Sequence, residues 1–328
     1  MKSIYKVLLF SLFIIFFSLS ILLVINGCKQ KYTTPLRIGT CMWTGFEPLY
    51  LAVDKNYINK SVARLIEYPT TNGTILGFRN GTIDMAAISV DEAIVLKTYD
   101  IDFKIILVLD ISHGGDSVLS KPGINSVKEL KGKRVGVETT TLGSYFLTKA
   151  LNSGGLTLSD ISVVHIPVTE GEHAYKSDEI DAIVTFEPAK TRILNLGAKK
   201  IFDSSKVPNA ILDVLVVKTD ILKHRKKDLK DILTGWFKAV SDVNNNLENS
   251  IQIMAEREHI SVTEFKTSLK GLVIPSLGQN ISLFSGTPSS ILSTAEQINN
   301  FLLENKIIKN SPNITDMFNG TILREIKK

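Results

Sequence analysis

Cysteine is almost absent from this chain of 328 residues, which contains only Cys28 and Cys41. A small fold held together by disulfide bonds is therefore excluded. Excess charge is also lacking, because 38 Lys and Arg residues against 33 Asp and Glu residues leave a net charge of +5, and Lys2 and Lys6 supply two of those charges. This near-balance argues against a nucleic-acid-binding protein, whose affinity comes from contacts with phosphates.

The motifs of common catalytic sites are absent as well. The sequence has no glycine-rich phosphate-binding motif, no Cys-x-x-Cys, no His-x-x-x-His and no Gly-x-Ser-x-Gly, each of which would point to a specific chemistry. The five histidines are scattered along the chain. We therefore expect a binding protein rather than an enzyme, with neither a metal nor a cofactor.

The composition is that of a folded globular protein, with 44% hydrophobic and 22% charged residues. From residue 36 onward, short apolar runs alternate with amphipathic segments, which predicts an α/β fold. Fully apolar runs such as 105–109 are typical of a parallel sheet covered on both faces. Cys41 lies in the first of these predicted strands, so we expect a buried, inert thiol.

The alternation begins again after the segment 112–116, and the chain becomes helical after an apolar strand at 212–218. Gly81 predicts the end of a helix over 70–80. Apolar residues at steps of three and four over 229–243 predict an amphipathic helix in the C-terminal part.

The N-terminus resembles the signal of a bacterial lipoprotein. Basic residues precede an apolar run over 7–25, which ends in Ile25-Asn26-Gly27-Cys28 and so resembles the lipobox, where the cysteine is lipidated and the preceding peptide is removed. We predict a signal peptide at 1–27, lipidation of Cys28 and a tether at 28–35. The run is also about long enough to span a bilayer, so an uncleaved anchor helix is the alternative. Both predict an extracytoplasmic chain attached to the membrane.

Several short motifs follow one another along the rest of the chain. They are 37–39 (Arg-Ile-Gly), 43–52 (Trp-Thr-Gly-Phe-Glu-Pro-Leu-Tyr-Leu-Ala), 80–89 (Asn-Gly-Thr-Ile-Asp-Met-Ala-Ala-Ile-Ser), 130–137 (Leu-Lys-Gly-Lys-Arg-Val-Gly-Val), 179–188 (Glu-Ile-Asp-Ala-Ile-Val-Thr-Phe-Glu-Pro), 202–205 (Phe-Asp-Ser-Ser) and 212–217 (Leu-Asp-Val-Leu-Val-Val). In this order they resemble the solute-binding proteins of ABC importers of the nitrate, sulfonate, taurine and thiamine-precursor group.

The resemblance implies a type II periplasmic-binding fold, with two α/β lobes joined by a hinge of two chain crossings. The first lobe would comprise 36–114 and 214–328, and the second 115–213. It also implies a small-molecule ligand in the cleft and ABC permease subunits as partners, and we expect a monomer. The alternatives are an extracytoplasmic sensor or ligand chaperone of the same fold, and an enzyme of the thiamine-precursor type.

Candidate ligand-binding residues follow the predicted strands, since ligands bind beyond the carboxyl ends of strands in open α/β sheets. They are Trp43, Phe46, Glu47, Ser89, Asp91, Asp110, Asp116, Glu138, Thr140, Ser144, Glu187 and Asp213. The two aromatic residues can stack on a ligand or pack in the core. Ser89 and Thr140 can equally cap helices, and the acids at 187 and 213 can bind hinge backbone instead.

The segments expected to line the cleft carry mostly acidic side chains. These are Glu47, Asp91, Glu92, Asp110, Asp116, Glu138, Glu187 and Asp213, against a single basic residue, His113. Because an anion is unfavourable beside several buried carboxylates, we predict an amine, amidine or aminopyrimidine-like ligand, zwitterions included. The alternatives are that the acids cap helices or face solvent, and that the helix start at 138–144 binds the acidic group of a sulfonate-like ligand.

Overall fold

The computed structural model describes residues 34–326, so the predicted signal peptide and the lipidation of Cys28 lie outside the described residues. Short apolar runs form the strands of this part. In chain order they are β1 (Leu36–Cys41), β2 (Ala63–Tyr68), β3 (Met85–Ser89), β4 (Phe103–Ser112), β5 (Ser117–Ser120), β6 (Arg134–Val137), β7 (Ser162–His165), β8 (Ala182–Thr185), β9 (Lys199–Asp203), β10 (Leu212–Lys218) and β11 (Leu272–Val273).

Amphipathic segments form the helices between and after these strands. They are α1 (Glu47–Asp54), α2 (Thr71–Arg79), α3 (Val90–Lys97), α4 (Thr141–Ser153), α5 (Gly171–Lys176), α6 (Ala189–Asn195), α7 (Thr219–His224), α8 (Lys226–Asn244), α9 (Glu248–Arg257), α10 (Val262–Leu269), α11 (Leu277–Leu283) and α12 (Ser290–Glu304). Among residues 34–326, no helix has both the length and the apolar character needed to cross a bilayer.

The first sheet has six strands in the order β11-β4-β10-β3-β1-β2. β1 is parallel to β2 and to β3, whereas β10 is antiparallel to β3 and β4, and β11 is antiparallel to β4. The expectation of a parallel sheet is therefore wrong for β4 and β10. Their apolar sequences reflect burial, since β10 is buried at every position before its last residue, and burial does not depend on strand direction.

The second sheet has five strands in the order β7-β6-β8-β5-β9. β6 is parallel to β7 and β8, and β5 is antiparallel to β8 and β9. The chain leaves the first sheet after β4, forms the whole second sheet and returns to the first sheet in β10. Two α/β lobes joined by two crossings result, which confirms the predicted fold class, while the residue boundaries assigned to the lobes stay a prediction.

The two crossings are hydrogen-bonded to each other. The Gly114 N–H donates to Ser204 Oγ at 2.6 Å, and Ser112 Oγ lies 2.8 Å from the same oxygen. The Ser112 N–H donates to the Ile211 carbonyl at 3.1 Å, and the Ser204 N–H donates to the Asp116 carbonyl at 3.0 Å. Both segments therefore form one connected hinge.

The predicted amphipathic helix in the C-terminal part is confirmed as α8. Most of its apolar residues at steps of three and four are buried, and Leu229, Ile232, Leu233 and Trp236 are fully so. They belong to a core that also includes residues of α1 and of the first sheet. This packing holds α1 in place, and the loop before α1 carries two of the predicted site residues.

Candidate functional site

A cavity lies where the strand ends of both sheets meet. The space between its walls, including the open mouth, is about 630 Å³. We call it the inner cavity and define it by its lining residues, which are Cys41, Trp43, Phe46, Thr71, Ile88, Ser89, Glu92, Asp116, Glu138, Thr140, Leu142, Gly143, Phe146, Val184, Phe186, Ile211 and Asp213.

The structure brings together only some of the residues predicted from the sequence. Those that line the inner cavity are Trp43, Phe46, Ser89, Asp116, Glu138, Thr140 and Asp213. Those that do not line it are Glu47, Asp91, Asp110, Ser144 and Glu187. Their role in ligand binding stays a prediction, and their contacts show what each does in the fold.

Trp43 is held in place by the first lobe and contacts the second. The residue follows β1, and its indole Nε1 donates a hydrogen bond to Asp110 Oδ2 at 3.0 Å. Its ring meets the ring of Phe186, which follows β8, edge to face with centroids 5.6 Å apart. Gly45 allows this arrangement, since a Cβ there would lie 2.0 Å from the same carboxylate oxygen. Trp43 therefore presents a fixed aromatic ring to the cavity.

Asp110 and Asp213 form a buried pair of carboxyl groups. The two residues face each other in the β4–β10 register, and Asp213 also pairs with Ser89 in the β3–β10 register. Burial raises the pKa of Asp110 to about 7, although hydrogen bonds from Trp43 and Asp213 oppose the rise. Burial and the negative charge of Asp110 raise the pKa of Asp213 well above its ordinary value. The pair therefore holds a proton near neutral pH.

Three further carboxyl groups belong to the same acidic region. Burial and the charge of Asp91 raise the pKa of Glu92 to about 8, and burial raises the pKa of Asp116 to about 6. Burial likewise raises the pKa of Glu138. The carboxyl group of Glu92 also accepts a hydrogen bond from the Ser89 N–H at 3.1 Å, so Ser89 is a helix cap as well as a lining residue.

The start of α4 forms another side of the inner cavity. Thr140 Oγ1 accepts a hydrogen bond from the Gly143 N–H at 2.9 Å, which caps the helix. Ser144 lies one turn further on, where its carbonyl accepts a hydrogen bond from Thr148 Oγ1 at 2.8 Å. Thr140 therefore both caps α4 and lines the cavity, whereas Ser144 lies away from the cavity wall.

Glu47 is fully buried, binds Arg257 and does not line the inner cavity. Arg257 Nε donates to Glu47 Oε2 at 2.8 Å, and the guanidinium stacks on the Tyr50 ring at 3.5 Å from its centroid. Burial raises the pKa of Glu47 to about 7 against the opposing effect of Arg257. Glu47 thus fixes the start of α1 to the end of α9, and we leave it out of the proposed site.

Glu187 is likewise engaged within the protein. Its Oε1 lies 2.7 Å from Lys190 Nζ, and its Oε2 accepts hydrogen bonds from the N–H and hydroxyl of Thr191 at 3.1 and 2.8 Å. Lys190 also donates to the Gly114 carbonyl at 2.9 Å. Glu187 therefore holds the start of α6 and reaches the hinge only through Lys190, so its role in ligand binding stays a prediction.

A second cavity of about 570 Å³ adjoins the first and contains Glu187 and Arg192 in its lining. It shares Cys41, Thr71, Glu138 and Phe186 with the inner cavity. The two cavities therefore share one wall and form parts of the same cleft.

Several residues that line the inner cavity were not predicted from the sequence. They include Cys41, Thr71, Leu142, Phe146 and Phe186. Phe186 had a usable signal, because it directly follows β8 and begins the Phe-Glu-Pro motif. Cys41 is a buried thiol whose pKa burial raises to about 12. Its predicted burial is confirmed, and its place in the cavity wall was not predicted.

Comparison with known proteins finds relatives of similar architecture. A candidate binding protein of Brucella abortus is 26% identical over 163 residues, 47% of this chain and 50% of the relative, so the chain spans about half the length of the curated relatives it matches. The structure of the alkanesulfonate-binding protein SsuA of Xanthomonas axonopodis pv. citri, bound to MOPS, matches 87% of this chain and 98% of that chain, with a TM-score of 0.74 and 13% identity. These similarities show the fold.

Two further solved structures indicate how varied proteins of this fold are. The nitrate-binding protein NrtA of Synechocystis PCC 6803 matches 90% of this chain and 88% of that chain, with a TM-score of 0.70 and 15% identity. The desulfurization enzyme DszB matches 89% of this chain and 98% of that chain, with a TM-score of 0.67 and 13% identity. Both binding proteins and an enzyme are therefore similar in structure.

A family model extends the comparison beyond the fold. It matches residues 29–257, a range that contains β1 to β10 and so every residue that lines the inner cavity. The resemblance predicted from the order of the sequence motifs is confirmed. Because the match covers more than half of the chain, the chain belongs to the NMT1-like family.

Proposed function

We propose that this protein is the extracytoplasmic solute-binding component of an ABC importer, which captures a small molecule in the inner cavity and releases it chemically unchanged. The inner cavity itself carries this proposal. Aromatic rings from both lobes, Trp43 and Phe186, meet across it, and the lobes are connected by a two-segment hinge. Ligand capture by hinge closure is the motion such an architecture permits.

Contacts between the lobes support the proposed closure. Asn72 Nδ2, in α2 of the first lobe, donates to the Thr139 carbonyl of the second lobe at 2.8 Å. The Tyr145 ring of α4 meets the Phe301 ring of α12 edge to face, with centroids 4.7 Å apart. Such contacts join the two lobes, and a ligand that touches both lobes adds binding energy to the closed arrangement.

Thermal unfolding in the presence of a metabolite panel tests this function. At least one small molecule is expected to raise the melting temperature by about 5 °C at a hundredfold excess over its Kd, because binding only to the folded chain stabilises it. The variant Trp43→Ala should lose most of that shift. Turnover of a panel compound without any rise in melting temperature would instead indicate an enzyme.

We further propose that the chain is anchored by lipid on Cys28 and delivers its ligand to permease subunits in the membrane. In that case Cys28→Ser should release the protein from membranes while ligand binding stays unchanged, because the cysteine precedes the first strand of the fold by eight residues. Metabolic labelling with palmitate and membrane fractionation check this. A serine variant that remains in the membrane fraction without label would support an uncleaved anchor helix.

A further inference from the structure

Among residues 34–326, three carboxylate oxygens in the wall of the inner cavity lack hydrogen-bond partners, one each from Glu92, Asp116 and Glu138. Within residues 34–326, Asp116 Oδ2 and Glu92 Oε1 are buried and have no partner, and their residues are only 4% and 2% exposed. Buried acceptors are almost always satisfied in native proteins, and an orphaned one is costly. Because both residues line the cavity, a ligand that donates hydrogen bonds would supply the missing partners.

The ionisable side chains in the wall around these oxygens are all acids. Glu92, Asp116, Glu138 and Asp213 line the inner cavity, and its described lining includes no Lys, Arg or His. Lys190 acts on Asp116 from behind the wall, where its ammonium already binds Gly114 and Glu187. An anion in this cavity would oppose the ionisation of these acids at low dielectric, whereas a cation would favour their ionised form and be attracted by it.

Apart from the hydroxyl side chains of Thr71, Ser89 and Thr140, the rest of the wall is mostly aromatic and aliphatic. Trp43, Phe46, Phe146 and Phe186 all line it, and the indole N–H of Trp43 is already bonded to Asp110. Trp43 therefore offers its ring rather than a hydrogen-bond donor. Aromatic rings beside carboxylates favour an organic cation with an apolar body.

We propose that the ligand is an organic cation whose charged nitrogen carries N–H donors, such as a primary amine or an amidinium, bound between Glu92 and Asp116. This inference rests on the proposed function, because it names the class of solute that the inner cavity takes. It also separates this chain from its structural neighbours SsuA and NrtA, which bind a sulfonate and nitrate.

A series of compounds on one benzyl frame tests the inference. The full chain, purified in mild detergent and freed of retained ligand by reversible unfolding, is titrated calorimetrically with benzylamine, benzamidine, benzyltrimethylammonium, benzyl alcohol and phenylmethanesulfonate. The two N–H cations are expected to bind at least tenfold more tightly than the quaternary ammonium, because only they donate to the carboxylates. The alcohol and the sulfonate should bind more weakly still.

A pair of matched variants locates the binding. Asp116→Asn should weaken benzylamine binding at least tenfold, and Glu92→Gln should act in the same direction. Asp178→Asn serves as the control, because Asp178 lies on the surface of the second lobe with its side chain 82% exposed and has a φ of 58°, which asparagine also adopts. Its affinity should stay within twofold of wild type.

The outcomes separate the inference from the function it rests on. The proposed ligand class would be wrong if the sulfonate bound more tightly than the amines, if the quaternary ammonium bound equally well, or if Ca²⁺ bound and no amine did. Each of these results would leave the proposed solute-binding function standing. Binding of an amine that is unchanged in Asp116→Asn and in Glu92→Gln would overturn the proposed location. If neither this series nor the metabolite panel binds, both the inference and the proposed function fail.

Discussion

The ligand-free variant Asp213→Asn should unfold at a higher temperature than the wild type at pH 8, by about 4 °C. Asp213 is buried beside Asp110 in the sheet register, and burial with that neighbouring charge raises its pKa well above the ordinary value. At pH 8 the wild type must either retain a proton there or hold two adjacent buried carboxylates. Asparagine removes that conflict and keeps the size of the side chain, so the folded state gains stability.

The sign of the pH dependence follows from the direction of these pKa shifts. Groups with a raised folded pKa, among them Asp116 at about 6, Asp110 at about 7 and Glu92 at about 8, keep protons that the unfolded chain has lost above about pH 4. The folded state then binds more protons, so the free energy of unfolding falls as pH rises, by about 1.4 kcal/mol per pH unit for each such proton.

Melting curves of the ligand-free chain between pH 5 and 8 measure this effect. The melting temperature of the wild type should fall as pH rises, and the fall should be shallower in Asp213→Asn. Asp181→Asn is the matched control, because Arg134 holds the pKa of Asp181 below its ordinary value and its titration lies below this range. It should lower the melting temperature slightly without changing the slope. A wild type that grows more stable towards pH 8 would contradict the buried acidic cluster.

Replacing Arg257 with glutamine should destabilise the fold by about 3 kcal/mol or more, because it leaves a buried carboxylate without its counter-ion. Glu47 is 0% exposed and receives three hydrogen bonds from Arg257. The same guanidinium binds Glu67 across the first sheet. The expected fall in melting temperature is about 6 °C, and it should grow towards alkaline pH as Glu47 loses its proton.

The double variant Glu47→Gln with Arg257→Gln distinguishes this mechanism from a loss of packing. It should recover most of the lost stability, since no unpaired charge remains. Lys176→Gln is the surface control, because its pair with Glu172 is largely exposed and its loss should shift the melting temperature by about 1 °C. A single Glu47→Gln variant that folds normally but loses ligand affinity would return Glu47 to the binding site.

Much of the first lobe was predictable because its signals are local. The apolar runs, the glycine after α2 and the periodicity of α8 each act over a few residues, and each produced an element close to its predicted place. Strand direction was not predictable in the same way. β10 is largely apolar, like β3, but runs antiparallel to it. The direction of β10 depends on where the chain returns from the second lobe.

The candidate site shows the same division between local and distant signals. Trp43 and Glu138 come just after the ends of β1 and β6, and both line the inner cavity. This is what we expected for positions at the edge of a sheet. On α3, however, Glu92 lines the cavity while Asp91 does not, since one residue turns a helix by about 100°. Glu47 forms its ion pair with Arg257, which lies 210 residues further along the chain. No short sequence motif predicts such a pair.

Native mass spectrometry of the full chain, purified from its own host without added ligand, tests whether the inner cavity holds the proposed solute. We expect one small molecule per chain, a nitrogen-bearing cation released unchanged on denaturation. It should be absent from Asp116→Asn and Trp43→Ala but present in Asp178→Asn. A chain that retains no molecule, binds no compound of the panel and converts one of them to product would contradict the proposal.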